Sequence, residues 1–196
     1  MSQLDHADQI DALFASTRIV PVIQIDDAGL AVDLARTLAS AGLNLLEITL
    51  RSAAAMDAIN RIAREVPEAI VGAGTIRSAG DLARVADAGA RFAIAPGSTE
   101  TLYRASLAHP DVPLIPGVAT ASDIMLGLEY GFQRFKFFPA RAAGGIDMLK
   151  SWAGPFPQVR FMPTGGIDRE SASAYLALPN VMAVGGSWMV PGAAKR

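Results

Sequence analysis

The 196-residue sequence contains no cysteine and only two histidines, His6 and His109. Without cysteine the chain forms neither disulfides nor thiolate metal sites. Two isolated histidines also lack the spacing of a zinc-binding motif. The composition therefore predicts a protein without a metal site.

The sequence has little excess charge and no long apolar run. Its 17 basic and 19 acidic residues give a net charge of -2, and the absence of a basic cluster argues against a nucleic acid or an anionic membrane as partner. No apolar run reaches the roughly 18 residues that a membrane helix needs, and the N-terminus lacks the pattern of a signal peptide. We therefore expect a cytoplasmic protein whose partner is a small molecule.

Glycine and proline are scattered through the chain and do not collect in a linker. Hydrophobic residues make up 51% of the sequence, which is enough apolar surface to build a core. One domain per roughly 150 residues is the usual expectation. Residues 1–196 are therefore predicted to form a single domain.

Short β-rich apolar runs alternate with helical patterns along the whole chain. Three helical patterns end in a glycine suited to a left-handed C-terminal cap, namely Gly42, Gly89 and Gly131. Eight parallel strands joined by helices favour a compact (β/α)8 TIM barrel over an open doubly wound sheet of five or six strands. The eight predicted strands lie at 19–23, 45–49, 69–71, 92–94, 113–115, 135–137, 159–161 and 181–184.

Two charged residues occupy apolar strand positions. Lys136 lies in an aromatic strand, where burial disfavours the ammonium ion and favours the neutral amine that forms a Schiff base. Glu47 lies in another apolar strand and could move protons beside that amine. A structural ion pair inside the barrel is the alternative for both residues, and the two roles are compatible.

The C-terminal ends of the predicted strands carry further candidates, because barrel active sites lie there. Arg51 could bind a carboxylate through both of its terminal nitrogens, although a solvated charge is the alternative. Gly-Gly steps at Gly165-Gly166 and Gly185-Gly186, with Thr164 and Ser187 beside them, suggest a phosphate cradle after the last two strands. Tight turns use glycine as well, so the second explanation stays open.

Six motifs together resemble the 2-keto-3-deoxy-6-phosphogluconate aldolases, which often also act on 4-hydroxy-2-oxoglutarate. The resemblance extends over residues 19–191. The motifs are Glu47-Ile48-Thr49-Leu50-Arg51, Val71-Gly72-Ala73-Gly74-Thr75, Pro116-Gly117-Val118, Phe135-Lys136-Phe137-Phe138-Pro139, Pro163-Thr164-Gly165-Gly166 and Gly185-Gly186-Ser187-Trp188.

The resemblance implies a class I aldolase that is trimeric and needs no metal or cofactor. Lys136 would be the Schiff-base lysine and Glu47 the acid-base residue. The remaining implied substrate-binding residues are Arg51, Thr75, Pro96, Phe138, Thr164, Gly165, Gly166, Gly186 and Ser187. The implied reaction cleaves 2-dehydro-3-deoxy-6-phosphogluconate reversibly to pyruvate and glyceraldehyde 3-phosphate, with 4-hydroxy-2-oxoglutarate as a further substrate.

The sequence departs from the family pattern at its C-terminus. Too few residues follow the Gly185-Gly186 step for both a loop and an eighth covering helix. We expect the exposed seam to be covered by a neighbouring subunit, since the N-terminal helix at 4–15 already has a place against the barrel in the family. Two rival functions remain: a phosphate-binding isomerase that uses Glu47 without an imine, and a structural or metabolite-binding trimer.

Overall fold

A computed structural model describes residues 6–190 of the chain. Its strands and helices alternate as the hydrophobic pattern predicts. The strands are β1 (Ile19–Ile23), β2 (Leu45–Thr49), β3 (Ile70–Gly74), β4 (Ala93–Ile94), β5 (Leu114–Ile115), β6 (Gly117–Val118), β7 (Arg134–Phe137), β8 (Arg160–Pro163) and β9 (Val184–Gly186). The α-helices are α1 (His6–Phe14), α2 (Ala31–Ser40), α3 (Ala55–Glu65), α4 (Ala79–Asp87), α5 (Glu100–Leu107), α6 (Ala121–Glu129), α7 (Gly145–Ala153) and α8 (Arg169–Leu176), and a 3-10 turn at Ala28–Leu30 precedes α2.

Every strand pairing in this part of the chain is parallel. One sheet has the order β5-β4-β3-β2-β1-β9, and a second has the order β6-β7-β8. Parallel strands joined by helices form an α/β fold, as the sequence predicts. The α/β class with a parallel sheet is therefore confirmed.

The last strand lies later in the chain than its apolar run suggests. The sequence predicts a strand at 181–184, whereas β9 spans Val184–Gly186. Val181 makes only an isolated bridge to Phe161, and the continuous pairing with β1 begins at Val184. The boundary of this strand was predicted about three residues too early, because apolar composition alone does not say which residues pair.

The fifth predicted strand ends just before a proline, and a short strand that the sequence does not predict follows that proline. Pro116 has no N–H to give to a neighbouring strand, and it separates β5, which pairs with β4, from β6, which pairs with β7. The carbonyl oxygen of Pro116 still accepts a hydrogen bond of 2.9 Å from the backbone N–H of Lys136. The proline therefore lies directly beside the strand that carries the candidate nucleophile.

Turn and cap residues set where the helices begin and end. Gly42, Gly89 and Gly131 have φ values of 80°, 91° and 84°, so the predicted left-handed caps are confirmed. Side chains cap several helix N-termini, as Ser78 does for α4 and Thr120 for α6. These N-termini follow the carboxyl ends of the preceding strands, which is the edge where ligands bind in α/β proteins.

Helix α1 lies against the opposite edge of the sheet, where the strands begin. Ile10 and Phe14 are buried in a cluster with inward-facing residues such as Phe92 and Met162. Arg134, the first residue of β7, donates hydrogen bonds of 2.7 and 2.6 Å to the two carboxylate oxygens of Asp11. Helix α1 therefore closes this edge to solvent.

The structure tests only some of the predictions about membrane helices, cell location and the C-terminus. None of the described helices is long and apolar enough to span a membrane. The predicted shortening of the C-terminus concerns residues 191–196, which lie outside the described residues. The cytoplasmic location stays a prediction.

Candidate active site

The centre of the site is a buried ion pair between two strands. The side chain of Lys136 on β7 is 7% exposed and that of Glu47 on β2 is fully buried, and Nζ donates to Oε1 over 2.9 Å. The two residues are 89 positions apart in sequence, yet the fold brings them into contact. The pairing that the sequence suggests is present.

The carboxylate of Glu47 has one occupied and one free oxygen. Oε1 accepts from Lys136, while the buried Oε2 accepts no hydrogen bond from any residue within 6–190. A buried carboxylate oxygen without a partner is costly unless a ligand or water uses it. The pair can therefore exchange a proton across the 2.9 Å contact and still receive one at the second oxygen.

Gly74 makes the space that Glu47 occupies. A Cβ atom at position 74 would collide with Oε1 of Glu47 and would lie 2.7 Å from its Cγ. The φ of Gly74 is not in the left-handed region, so the requirement for glycine comes from the neighbouring side chain. The end of β3 is thus shaped around the carboxylate.

Arg51 lies at the rim, two positions beyond the end of β2. It is exposed, and its Nε donates a hydrogen bond of 3.2 Å to the hydroxyl of Thr49. Alternate residues of a strand share a face, so Thr49 lies on the same face of β2 as Glu47, and Arg51 contacts Thr49 from the turn that follows. This placement suits a group that binds a substrate carboxylate at the mouth of the site.

Two further predicted residues lie on the same rim. Thr75 follows β3 with φ 65°, the left-handed conformation that non-glycine residues seldom adopt. Pro96 follows β4 and is half-buried. A Cβ atom at Gly117 would collide with the carbonyl carbon of Pro96, so the rim is tightly packed here.

Phe138 connects the ion pair with the first glycine-rich turn. The Nζ of Lys136 lies 5.4 Å from the centre of the Phe138 ring. A Cβ atom at Gly165 would lie 3.4 Å from two carbons of the same ring. The aromatic ring therefore separates the reacting centre from the candidate phosphate cradle and contacts both.

The glycine-rich segments meet across two neighbouring strand ends. Thr164 forms a parallel bridge with Gly185, and its hydroxyl is buried without a hydrogen-bond partner within residues 6–190. Gly165 and Gly166 have φ values of 103° and 74°, which favour glycine. The structure thus brings together Thr164, Gly165 and Gly166 with the segment that contains Gly185, Gly186 and Ser187.

The second segment is also shaped by its neighbours. A Cβ atom at Gly186 would collide with the ring of Trp188, and one at Gly185 would collide with the Thr164 hydroxyl. Ser187 is exposed beside them. A side chain at Gly185 or Gly186 would therefore clash with a neighbouring side chain. The close approach of Thr164 and Trp188, and not turn formation alone, explains why glycine occupies both positions.

A shallow groove of about 470 Å³ continues outward from Gly166. Arg141 lies against this glycine, since a Cβ atom at position 166 would be 2.7 Å from the Cβ of Arg141. Asp168 and Glu170 bring negative charge to the same groove. Hydrogen bonds from the backbone and side chain of Ser171 lower the pKa of Asp168, and the charge of Arg141 lowers it further. The mixed charge gives the groove no clear preference for an anion.

Two contributors to the site were not predicted as such from the sequence. Thr49 and Gly74 both lie inside motifs that resemble the aldolases, but the sequence alone indicates no role for either residue. The spacing of two between Glu47 and Thr49 is a signal that could have identified Thr49, because period two places both residues on one strand face. The role of Gly74 depends on a neighbour from another strand, which local sequence does not reveal.

The arrangement combines a buried primary amine, a carboxylate in contact with it and a cationic side chain at the mouth. An amine beside a base is the requirement for Schiff-base chemistry with a carbonyl compound. Within residues 6–190 no three His, Cys, Asp or Glu side chains converge as they would around a metal ion. The groups present are those of covalent amine catalysis.

Comparison with known proteins agrees with this chemistry. The model of the KDPG and KHG aldolase family matches residues 10–196. The KHG/KDPG aldolase of Escherichia coli strain K12 is 51% identical over 181 residues, which cover 92% of this chain and 84% of the relative.

Solved structures give the same assignment. The KDPG aldolase of Legionella pneumophila, with pyruvate captured as a covalent carbinolamine, has a TM-score of 0.90 and 48% identity over 94% of this chain and 89% of that one. The 2-keto-3-deoxy-6-phosphogluconate aldolase of Zymomonas mobilis ZM4 with 3-phosphoglycerate has a TM-score of 0.90 and 47% identity over 93% and 87%. The enzyme class predicted from the motifs is thereby confirmed, and the chain belongs to the KDPG and KHG aldolase family.

Proposed function

We propose that the protein cleaves 2-dehydro-3-deoxy-6-phosphogluconate reversibly to pyruvate and glyceraldehyde 3-phosphate, and that it also cleaves 4-hydroxy-2-oxoglutarate to pyruvate and glyoxylate. The observation that carries the proposal is the 2.9 Å contact between Nζ of Lys136 and Oε1 of Glu47 in a buried site. Solved structures of relatives contain pyruvate in one case and 3-phosphoglycerate in another, which supports a substrate with a pyruvate end and a phosphate end.

The reaction begins when Lys136 transfers a proton to Glu47. The neutral amine then attacks the C2 carbonyl carbon of the keto acid and forms a carbinolamine, which loses water to give the imine. Glu47 supplies the proton with which the C2 oxygen leaves as water. The protonated imine nitrogen becomes the electron sink for the next step.

Cleavage follows when Glu47, again a carboxylate, removes the proton of the C4 hydroxyl. The C3–C4 bond breaks, its electron pair moves into the imine system, and C4 leaves as the aldehyde. The remaining enamine takes a proton at C3, and water hydrolyses the imine to release pyruvate and the free amine. Arg51, with Thr75 and Pro96, would hold the pyruvate end so that the reacting carbons are oriented before the proton moves.

The phosphate end would lie in a cradle formed by the two glycine-rich segments. Backbone N–H groups approach an anion closely where there is no Cβ atom, and the N-terminus of α8 adds its dipole. The buried hydroxyl of Thr164 supports this assignment, because it has no partner among the described residues. Phe138 would lie between the two ends of the substrate.

Borohydride reduction in the presence of pyruvate tests the central step. We expect a reduced pyruvate adduct on Lys136 alone, detected by peptide mass spectrometry. The surface lysine Lys150, which is exposed on α7, is the internal control. An enzyme that turns over substrate without an adduct would favour the isomerase alternative, and a protein with neither activity nor adduct would favour the structural alternative.

Inorganic phosphate tests the cradle independently. It should inhibit cleavage of the phosphorylated substrate competitively and barely affect 4-hydroxy-2-oxoglutarate, which has no phosphate group. Equal inhibition of both substrates, or none, would contradict a phosphate site at Gly165, Gly166, Gly186 and Ser187.

We further propose that the two parallel sheets belong to one closed (β/α)8 barrel, a single domain over residues 1–196. Two observations support closure. The chain continues directly from β5 through Pro116 into β6, and the bridges Phe161 to Val181 and Thr164 to Gly185 connect β8 with the β9 segment. Pairing of β9 with β1 then completes the ring.

The proposed assembly is a homotrimer, as the family resemblance implies. Light scattering across a dilution series should give three times the chain mass, and the midpoint of thermal unfolding should fall on dilution. A stable monomer with a constant midpoint would contradict the trimer.

A further inference from the structure

Thr49 is the last residue of β2, on the strand face that also carries Glu47, and the reaction scheme gives it no task. It is 2% exposed. Its hydroxyl donates a hydrogen bond of 3.0 Å to the carbonyl oxygen of Ile23 and accepts one of 3.2 Å from Nε of Arg51. The hydroxyl is therefore held on one side by the neighbouring strand and holds the arginine on the other.

This contact uses Nε of the Arg51 guanidinium. Nε is occupied by Thr49, while neither terminal nitrogen of Arg51 makes a hydrogen bond or ion pair with the described residues. The two terminal nitrogens form the end-on fork that binds a carboxylate through two parallel hydrogen bonds. Fixing Nε thus leaves the carboxylate-binding edge free and restricts its rotation.

The anchor itself belongs to the sheet. Ile23 is paired with β2 at Ile48, so the carbonyl that receives the Thr49 hydroxyl is fixed by strand pairing. Ser52 also donates a hydrogen bond to the carbonyl oxygen of Ile25, just beyond β1. The segment around Arg51 is therefore tied to the end of β1 at two points, which limits the positions that the guanidinium can take.

We propose that Thr49 is a positioning residue that orients Arg51 for the carboxylate of the 2-keto acid. The inference rests on the proposed aldolase reaction. A long arginine side chain at an exposed rim samples many rotamers, and a binding group that is already oriented loses less entropy when the substrate arrives. Thr49 thereby contributes to the preference for ketones that carry an adjacent carboxylate.

Pyruvate and methyl pyruvate form a matched pair for the test, because both offer the same ketone and only pyruvate carries the charge. In the Thr49→Val variant, which keeps the shape and loses the hydroxyl, borohydride trapping should require about 10- to 100-fold more pyruvate. Trapping with methyl pyruvate should be nearly unchanged. The Thr49→Ser variant, which keeps the hydroxyl, should restore the pyruvate response.

A double-mutant cycle with Arg51→Met separates positioning from structural support. If Thr49 acts through Arg51, adding Thr49→Val to Arg51→Met should cause no further loss with pyruvate. Equal losses for pyruvate and methyl pyruvate in Thr49→Val, or additive losses in the double variant, would overturn the positioning role. A wild-type enzyme that traps neither compound would overturn the proposed reaction, and this inference with it.

Discussion

Strand β7 carries two cations two residues apart, and the two form different kinds of ion pair. Arg134 donates hydrogen bonds of 2.7 and 2.6 Å to the two carboxylate oxygens of Asp11. Lys136 donates a hydrogen bond to one carboxylate oxygen of Glu47, and the other oxygen has no hydrogen-bond partner within residues 6–190. The Asp11 side chain is 47% exposed, whereas that of Glu47 is fully buried.

The difference distinguishes a structural pair from the pair that we propose to be reactive. An arginine keeps its proton under all ordinary conditions, so the pair with Asp11 can only hold α1 against the strand. A lysine can give up its proton to a neighbouring carboxylate and become a nucleophile. The free oxygen at Glu47 and the dissociable proton at Lys136 are the features that the structural pair lacks.

The largest effect is expected when Lys136 is replaced by arginine, which is the cation of the structural pair. Lys136→Arg should abolish cleavage, because the guanidinium keeps the charge but does not attack a carbonyl carbon. Steady-state turnover and borohydride trapping measure the loss. The matched control is Arg134→Lys on the same strand, which should keep turnover within a few fold, and retained turnover in Lys136→Arg would contradict the imine mechanism.

Removing only the base should have the next largest effect. Glu47→Gln keeps the size of the side chain but cannot accept the proton, so turnover should fall by roughly 10²- to 10⁴-fold. Circular dichroism should show an unchanged fold. A variant that unfolds would assign Glu47 a role like that of Asp11, as a structural counter-ion.

A substitution that displaces Glu47 without replacing it should lower turnover by a smaller factor. Gly74→Ala places a methyl group where Oε1 of Glu47 lies, and the displaced carboxylate should lower turnover by about 100-fold, the usual result of misplacing a catalytic group by 1 Å. Gly97→Ala is the control, since a Cβ atom there has no neighbour within 4 Å. Equal activity of the two variants would show that the position of Glu47 is not critical.

The smallest effect is expected at the structural pair. A hydrogen bond from Arg134 holds the pKa of Asp11 below its usual value, so the pair stabilises the fold above the unfolded-state pKa of Asp11. That contribution is lost as the pH falls through the lower folded-state value. Solvent screening at this half-exposed site limits it to about 1 kcal/mol or less.

Thermal unfolding of Asp11→Asn against the wild type between pH 3 and pH 7 measures this contribution. The wild type should be more stable near neutral pH, and the difference should shrink in acid. Turnover of the folded variant should stay unchanged at neutral pH, because α1 lies at the edge away from the reactive pair. A difference that grows in acid would have the wrong sign for a carboxylate of lowered pKa.

The contact between Lys136 and Glu47 could be predicted from the sequence because each residue is anomalous in its own strand. A lysine among phenylalanines and a glutamate among leucines and isoleucines both stand out without any knowledge of the fold. Asp11 and Arg134 do not stand out, since aspartate is ordinary in a helix and arginine is ordinary at the start of a strand. Their pairing across 123 positions follows only from the tertiary arrangement.

Strand positions were predicted well where a strand keeps the same neighbours along its length, as in β1 and β2, and less well where pairing partners change. The short strand β6, which follows Pro116, is not predicted, because the chain leaves its pairing with β4 there and pairs with β7 instead. The left-handed Thr75 could not be predicted from its residue type, since threonine normally avoids that conformation. Both features depend on how strands meet at the rim.

The position of α1 has a consequence for the order of events in each turnover. Because Ile10 and Phe14 close one edge of the sheet, substrate entry and the exit of both products use the opposite edge. In the proposed mechanism, pyruvate is still covalently attached to the buried Lys136 when the C3–C4 bond breaks, whereas the aldehyde is already free. The aldehyde must therefore depart first, and the release sequence is ordered, with free pyruvate as the product that recombines with the unliganded enzyme.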